Sequence, residues 1–353
     1  MYIILAILIF GLLILVHEFG HFIAAKLLDV QVNEFSLCMG PALWQRTWGE
    51  TKYSLRLIPI GGYCAMEGED EESANPRAFT SKPVWVRAVI LVAGVFMNFL
   101  TGLLILAILL STSAGFYSPV ITEFAEGCPY EGEDALQVGD EILSVDGERV
   151  YIYSDLSLLW ERNSSGVYDM VVRRNGEKVR LDDFRFVKVE YESEGETVLR
   201  YGLNFGNIIP RTFGNVLNMA WRNALDFIRL TRMGLMDLIS GLVSINEMSG
   251  PVGIVSVISE TGKQSETTGM AITNITYLAA FLAVDLAFMN LLPIPALDGG
   301  RLFLLLVTAL IEKITRKKIN PKYEGYIHAA GMVVLLGFMA FITFKDILKL
   351  FGR

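Results

Sequence analysis

Charge is scarce along this chain: 19% of its 353 residues are Asp, Glu, Lys or Arg, against 52% hydrophobic. That balance excludes an ordinary soluble domain, in which about a quarter of residues are charged. Cysteine is nearly missing as well. Cys38, Cys64 and Cys128 follow neither metal-site spacing nor a paired-disulfide framework, so neither device staples the fold. Lys and Arg form no dense basic patch on a chain of net charge −8, which argues against a nucleic-acid partner. Histidine is as rare as cysteine, with three in all.

Two of those three form His17-Glu18-Phe19-Gly20-His21, inside an apolar run that begins at the initiator methionine. Lipid-embedded segments exclude unpaired ionisable groups because burying them is costly. HExxH on a helix sets both imidazoles on one face, where they can bind Zn²⁺ beside a glutamate able to act as general base. The bland reading is two histidines satisfied by neighbours in a polytopic protein. The run lacks a basic n-region and a small-residue cleavage site, so it does not read as a signal peptide.

Four stretches, residues 2–28, 84–110, 276–297 and 327–344, are long enough to cross about 30 Å of hydrocarbon. Arg46, Lys52, Arg56, Arg77 and Lys82 follow the first. Lys313, Arg316, Lys317, Lys318 and Lys322 precede the last. The positive-inside rule places both groups in the cytoplasm and the long middle region outside. Lys345, Lys349 and Arg353 pull the other way, but four spans put both termini outside. Gly49-Glu50 separates two short runs, residues 41–48 and 51–59, that suit a hairpin, and Gly61-Gly62 then breaks regularity near the membrane. Such a strand edge can accept an extended peptide, or the element is a plain cytosolic hairpin.

The outer region reads as strand pieces at 119–124, 141–145 and 168–173 with a helix at 154–162. This is enough for one small mixed domain. Residues 215–243 carry apolar side chains at helical spacing with Arg222, Asp226, Arg229, Arg232 and Asp237 among them. An amphipathic helix lying on the outer leaflet or on another protein element is expected, not a fifth span.

After Asn290 the sequence runs Leu291-Leu292-Pro293-Ile294-Pro295-Ala296-Leu297-Asp298-Gly299-Gly300. Two prolines break the helix and the glycines permit turns. A catalytic zinc usually has three protein ligands, and HExxH gives two, so Asp298 is the expected third. The alternative is a polar cap at a membrane exit. His17 lies about 22 Å down a helix starting at Tyr2, and Asp298 is at least comparably deep, so the two can share a layer toward the cytoplasmic face. Glu18 is then the catalytic base. Asn98 and Asn290 can hydrogen-bond an unwound substrate backbone or simply join spans. A non-proteolytic metal-binding transporter or scaffold is the competing class. It lacks the internal repeat that many transporters show, because HExxH and LDGG have no counterparts in the opposite halves.

These motifs together resemble the bacterial site-2 proteases, intramembrane zinc metalloproteases of regulated proteolysis. His17–His21 is similar to their zinc motif and Asn290 through Gly299 to the signature carrying the third ligand. Ala93-Gly94 through Asn98 resembles the glycine-to-asparagine motif of their second span. Gly139-Asp140 with Asp146-Gly147 resembles their PDZ domain, and Ser249-Gly250-Pro251-Val252-Gly253-Ile254 a feature before their third span. The resemblance implies a polytopic α-helical membrane protein with about four transmembrane helices, a membrane-associated β-hairpin and an inserted extracytoplasmic PDZ-like α+β domain. Its parts would be residues 1–117 with the zinc motif, 118–184 as the PDZ-like domain, 185–270 as a linker with the amphipathic helix, and 271–353 with the third ligand. It further implies one Zn²⁺ and residence in the bacterial cytoplasmic membrane. The expected substrates are single-span proteins such as trimmed anti-sigma factors or signal-peptide remnants. Two departures stand out. Cys128 through Asp134 is an odd PDZ segment, and Asp285 occupies a place where a small or neutral polar residue is expected.

Overall fold

The computed structural model describes residues 2–69, 73–193, 196–244, 247–317, 319–320 and 322–350. The chain divides into two compact units, Met1–Ile105 with Leu230–Arg353, and Leu106–Arg229.

Helix α1 (Tyr2–Leu27) has 26 residues, about 39 Å at 1.5 Å per residue, and ends where Asp29 turns left-handed with φ 54°. Strands β1 (Val32–Trp48) and β2 (Thr51–Met66) follow, joined at Gly49, whose φ of 64° suits glycine. They are longer than the runs legible in the sequence. Their pairing is also doubled: Glu34–Leu37 faces Lys52–Leu55 in one register and Gly62–Ala65 in another. The chain therefore folds into one antiparallel sheet with bulges, in which residues 34–37 run between 52–55 and 62–65 and the 62–65 segment forms an outer row. Helix α2 (Val84–Leu110) starts just after Pro83, a residue suited to the beginning of a helix. Ala25, Val30, Val32, Met66, Phe79 and Ile90 form one buried cluster that packs α1, the sheet and α2 together.

The second unit contains β3 (Gly115–Tyr117), β4 (Glu123–Phe124), β5 (Glu141–Val145), β6 (Glu148–Arg149), α3 (Asp155–Arg162), β7 (Val167–Arg174), β8 (Glu177–Arg185), β9 (Val189–Ser193), β10 (Glu196–Arg200), β11 (Leu203–Asn204) and β12 (Ile208–Pro210). A four-stranded antiparallel sheet runs β6-β5-β7-β8, and β3 pairs with β12 and β4 with β11. Its turns are where the sequence places them: Asp146-Gly147 and Asn175-Gly176 both adopt positive φ. Helix α4 (Phe213–Ser240) starts in this unit. Its Val216 and Met219 pack with Phe116 and Ile152, and Arg229 pairs with Asp226 and, at 3.1 Å, with Asp155 of α3. This first half of the amphipathic helix is thus docked on protein.

The first unit resumes within α4 and continues with α5 (Pro251–Gln264), α6 (Thr268–Asn290), α7 (Asp298–Thr315) and α8 (Lys322–Leu350). The Ser249–Ile254 motif has a structural use. The backbone N–H groups of Gly250 and Gly253 donate to the buried Asp346 carboxylate at 2.8 and 2.9 Å, a charged cap on the start of α5. Asp285 receives a 2.7 Å hydrogen bond from Thr231 of α4, so it bonds within the protein. Among the described residues four helices, α1, α2, α6 and α8, are long and apolar enough to span a membrane, and the chain is a polytopic membrane protein. The third span begins earlier than its apolar run because Thr267 caps it, accepting from the Met270 N–H at 3.2 Å. It stops at Asn290, as the two prolines require. Helices α5 and α7 are not apparent from the apolar runs.

Candidate metal centre

One helical turn separates His17 from His21, and their Nε2 atoms lie 3.2 Å apart. Asp298, the first residue of α7, brings Oδ2 to 3.0 Å from His17 Nε2 and 3.3 Å from His21 Nε2. Residues distant in sequence thus place three ligand atoms at the corners of a small triangle. A tetrahedral ion bound at about 2.0–2.1 Å has ligand–ligand edges near 3.3 Å, so the triangle matches one such ion. Asp298 Oδ2 is also buried without a hydrogen-bond partner among the described residues, although both rings are close. A two-nitrogen, one-carboxylate donor set in that arrangement fits a single divalent cation.

The surroundings fix which ring atoms face that point. His21 Nδ1 donates to the Ile90 carbonyl at 2.8 Å, leaving the Nε2 lone pair inward. His17 Nδ1 lies 3.4 Å from the Asn98 amide, which is 1% exposed. A His17 ring that ligates through Nε2 keeps its proton on Nδ1, so the amide oxygen belongs on that side. A half-turn of the amide, which exchanges O and N, provides it. The other end of this buried amide has no partner among the described residues, and Asn98 is one of the residues lining the cavity described below.

Two glycines let α1 and α2 approach this closely. A Cβ on Gly94 would collide with His21 Nε2 and stand 2.8 Å from His17 Cε1, while one on Gly20 would strike the Ala93 carbonyl. Small residues at such crossings bring helix backbones together. The Asp298 turn is equally tight: Gly299 lies against the Leu291 carbonyl and Gly300 against that of Ile294, with no room for a side chain.

Glu18 projects beside the triangle. Gly62, in the outer row of the sheet, lies against its Cγ. A cavity of about 270 Å³ opens here, lined by Ile14, His17, Glu18, Gly61, Gly62, Asn98, Leu286, Asn290 and Asp298. All six residues singled out in the sequence therefore lie in or around one space: His17, Glu18, His21, Asn98, Asn290 and Asp298. The close fit of Gly94 against the rings and the hydrogen bond from His21 to the Ile90 carbonyl were not legible. A residue's letter says nothing about where its C=O points.

Residues 5–338 match the model for peptidase family M50. The chain is 34% identical to a predicted zinc metalloprotease of Fusobacterium nucleatum over 99% of both chains. It is 32% identical to another from Clostridium perfringens, again over 99% of each. The regulator of sigma-W protease RasP of Bacillus subtilis is 27% identical over 98% of both. The chain belongs to peptidase family M50 and is a zinc metalloprotease of the site-2-protease type, two of whose three metal-cluster residues lie on a helix long and apolar enough to span a membrane.

Proposed function

We propose that the protein is an intramembrane zinc endopeptidase that hydrolyses peptide bonds within or near the transmembrane segment of single-span proteins. The carrying observation is that Asp298 converges on His17 and His21 beside Glu18 of an apolar helix. His17, His21 and Asp298 hold one Zn²⁺. Zinc, when bound, supplies Lewis acidity and lowers the pKa of water to about 7. Glu18 takes the proton of the attacking water and delivers it to the leaving amine.

A transmembrane helix hides its amides in its own hydrogen bonds, so the substrate must unwind to reach the site. Asn290 and Asn98 line the cavity with amide groups suited to an exposed peptide backbone, and the Gly61–Gly62 row offers a strand edge. The loop charges support a bacterial cytoplasmic membrane location, with the hairpin and site toward the cytoplasm and the 118–184 domain, read as PDZ-like, outside. By its name the Bacillus relative regulates sigma-W, which favours trimmed anti-sigma factors as substrates, with signal-peptide remnants as a second class.

The test uses purified protein in lipid vesicles with a single-span substrate. Cleavage should need zinc, and His17→Ala, His21→Ala or Asp298→Ala should lower both bound zinc and turnover. Unchanged zinc affinity in Asp298→Ala would remove it from the ligand set. A wild type that holds zinc but cleaves no such substrate would favour the transporter or scaffold reading.

A further inference from the structure

The chain's third histidine has no part in the motif, yet it touches the turn that delivers Asp298. His328 lies on α8, and its Nδ1 is 3.2 Å from the Ala296 backbone N–H, which donates to it. Ala296 has φ +89°, a conformation that a residue with a Cβ adopts at a cost and that persists only where surroundings enforce it. One turn along α8, Gly331 lies against Pro295, and a Cβ there would stand 2.7 Å from the Pro295 carbonyl carbon. The face of α8 formed by His328 and Gly331 is therefore a seat for Pro295-Ala296, two residues before the expected ligand. On the other flank of Asp298, Arg301 is ion-paired with Glu69 and brings Nε to 3.1 Å from His328 Nε2.

Both ring nitrogens thus meet N–H groups, and a neutral imidazole has one lone pair to offer. The Arg301 guanidinium is anchored on Glu69 through Nη1 and can turn its Nε aside, whereas the Ala296 backbone N–H has the ring as its one partner among the described residues, so the lone pair belongs with Ala296. We propose that His328 is a positioning residue of the metal centre: as a neutral ring it accepts the Ala296 N–H, holds the left-handed turn, and so presents Asp298 to His17 and His21. The inference rests on Asp298 being the third metal ligand. It assigns to the fourth span a share in building a site whose ligands come from α1 and α7.

The test uses the full chain in detergent, stripped of metal and titrated with zinc against a competing chelator. Partners one step removed from a metal typically contribute 10–100-fold in affinity, and His328→Ala should lose about that much. Asparagine can place its oxygen where Nδ1 lies, so His328→Asn should bind zinc close to wild type. Glutamine places its oxygen nearer the Nε2 position, so His328→Gln should fall with alanine. Wild-type affinity in His328→Ala would overturn the proposal. So would equal losses in all three variants, which would mean ring shape matters instead of the acceptor, or rescue by glutamine alone, which would point to Arg301. If His328→Ala melts lower without zinc, the asparagine and glutamine pair decides. Asp298→Ala runs alongside: if it keeps zinc, the ligand assignment fails, and if it loses zinc while His328→Ala does not, only the role of His328 fails.

Discussion

Gly62 lies against Glu18, a Cβ there standing 3.4 Å from Glu18 Cγ, so the base candidate of α1 packs directly on the outer row of the sheet. Glutamine has the same shape as glutamate, fits against that row equally well and disturbs none of the three ligand atoms. Glu18→Gln should therefore fold and bind zinc like wild type, while turnover falls by the 10²–10⁴ typical of losing a general base. Zinc content and cleavage measured on one preparation check this. Near-normal turnover would end the role assigned to Glu18.

Gly94→Ala should damage the metal centre without altering a ligand. The added methyl would occupy the space of His21 Nε2 and His17 Cε1, so either the rings rotate or α1 and α2 separate. Overpacking of this kind costs about 1–3 kcal/mol, and here the strain falls on the ligands themselves. We expect a large loss of zinc affinity and activity with a modest fall in melting temperature. Gly11→Ala on α1, where a Cβ meets nothing within 4 Å, is the control and should behave like wild type.

Legibility tracked chemistry that belongs to side chains. The HExxH spacing, the prolines after Asn290 and the carboxylate of Asp298 were readable because each constrains the backbone or supplies a ligand wherever it occurs. Turns at Asp146-Gly147 and Asn175-Gly176 were readable for the same reason. The extent of β1 and β2 was not, because Cys38 and Gly40 turn to positive φ inside the strand and bulges disrupt the alternation that marks a half-buried sheet. Helix α7 was hidden behind the turn that precedes it, and its charged end makes its apolar run too short to read as a span. The seat provided by His328 depends on a contact between the fourth span and one backbone amide, which no pattern along the chain encodes.

The buried triad of the second unit gives a pH prediction. Arg229 is flanked by Asp226 and Asp155, and Asp155 also accepts from the Tyr151 and Ile152 N–H groups at 2.6 and 3.1 Å. Two carboxylates about one guanidinium leave a surplus negative charge. Burial, and then the neighbouring Asp155 charge, push Asp226 up to about 7. The unfolded chain releases that proton near pH 4, so the folded state binds more protons between about pH 4 and 7. The contribution is full below that window and is lost as pH rises through it. Melting temperature should fall from pH 4 to 7 more steeply in wild type than in Asp226→Asn, which has no proton to release. Equal slopes would show that Asp226 does not titrate there.

Orientation follows from charge in the loops and can be read by labelling. Single cysteines near Asn175 and at Lys317, in a background lacking Cys38, Cys64 and Cys128, should react with an impermeant reagent from opposite sides of sealed membranes. Asn175 is expected outside and Lys317 inside, since four spans separate the two regions by one crossing. Labelling of both from one side would require a different number of crossings. The basic residues Lys345 and Lys349 make the outcome informative, because they oppose the arrangement that the loops favour.

The second unit carries no metal cluster among its described residues, and the proposed topology puts it outside the membrane, so its expected role is to filter substrates. A single-span protein already trimmed to a stub can enter the membrane site and unwind, whereas a bulky folded ectodomain should be held off. The fold suggests where to cut. Strand β3 pairs with β12, with Tyr117 opposite Ile208, so removing residues 119–206 and closing the gap with a short glycine-serine turn leaves the pair as a two-stranded hairpin. Asp155 leaves with the excised part, so Arg229 keeps only Asp226 of its two carboxylates, and bound zinc is the check that the membrane unit remains folded. The shortened protein should still cleave a stub and should also begin to cleave the untrimmed form, narrowing the ratio of the two rates. If it binds zinc, cleaves stubs normally and discriminates against long ectodomains as well as wild type does, the filter lies elsewhere. The exposed side chains Met236 and Ile239 of α4 would then be the next to replace, because they belong to the half of that helix that reaches Asp285 through Thr231, five residues before Asn290 at the cavity.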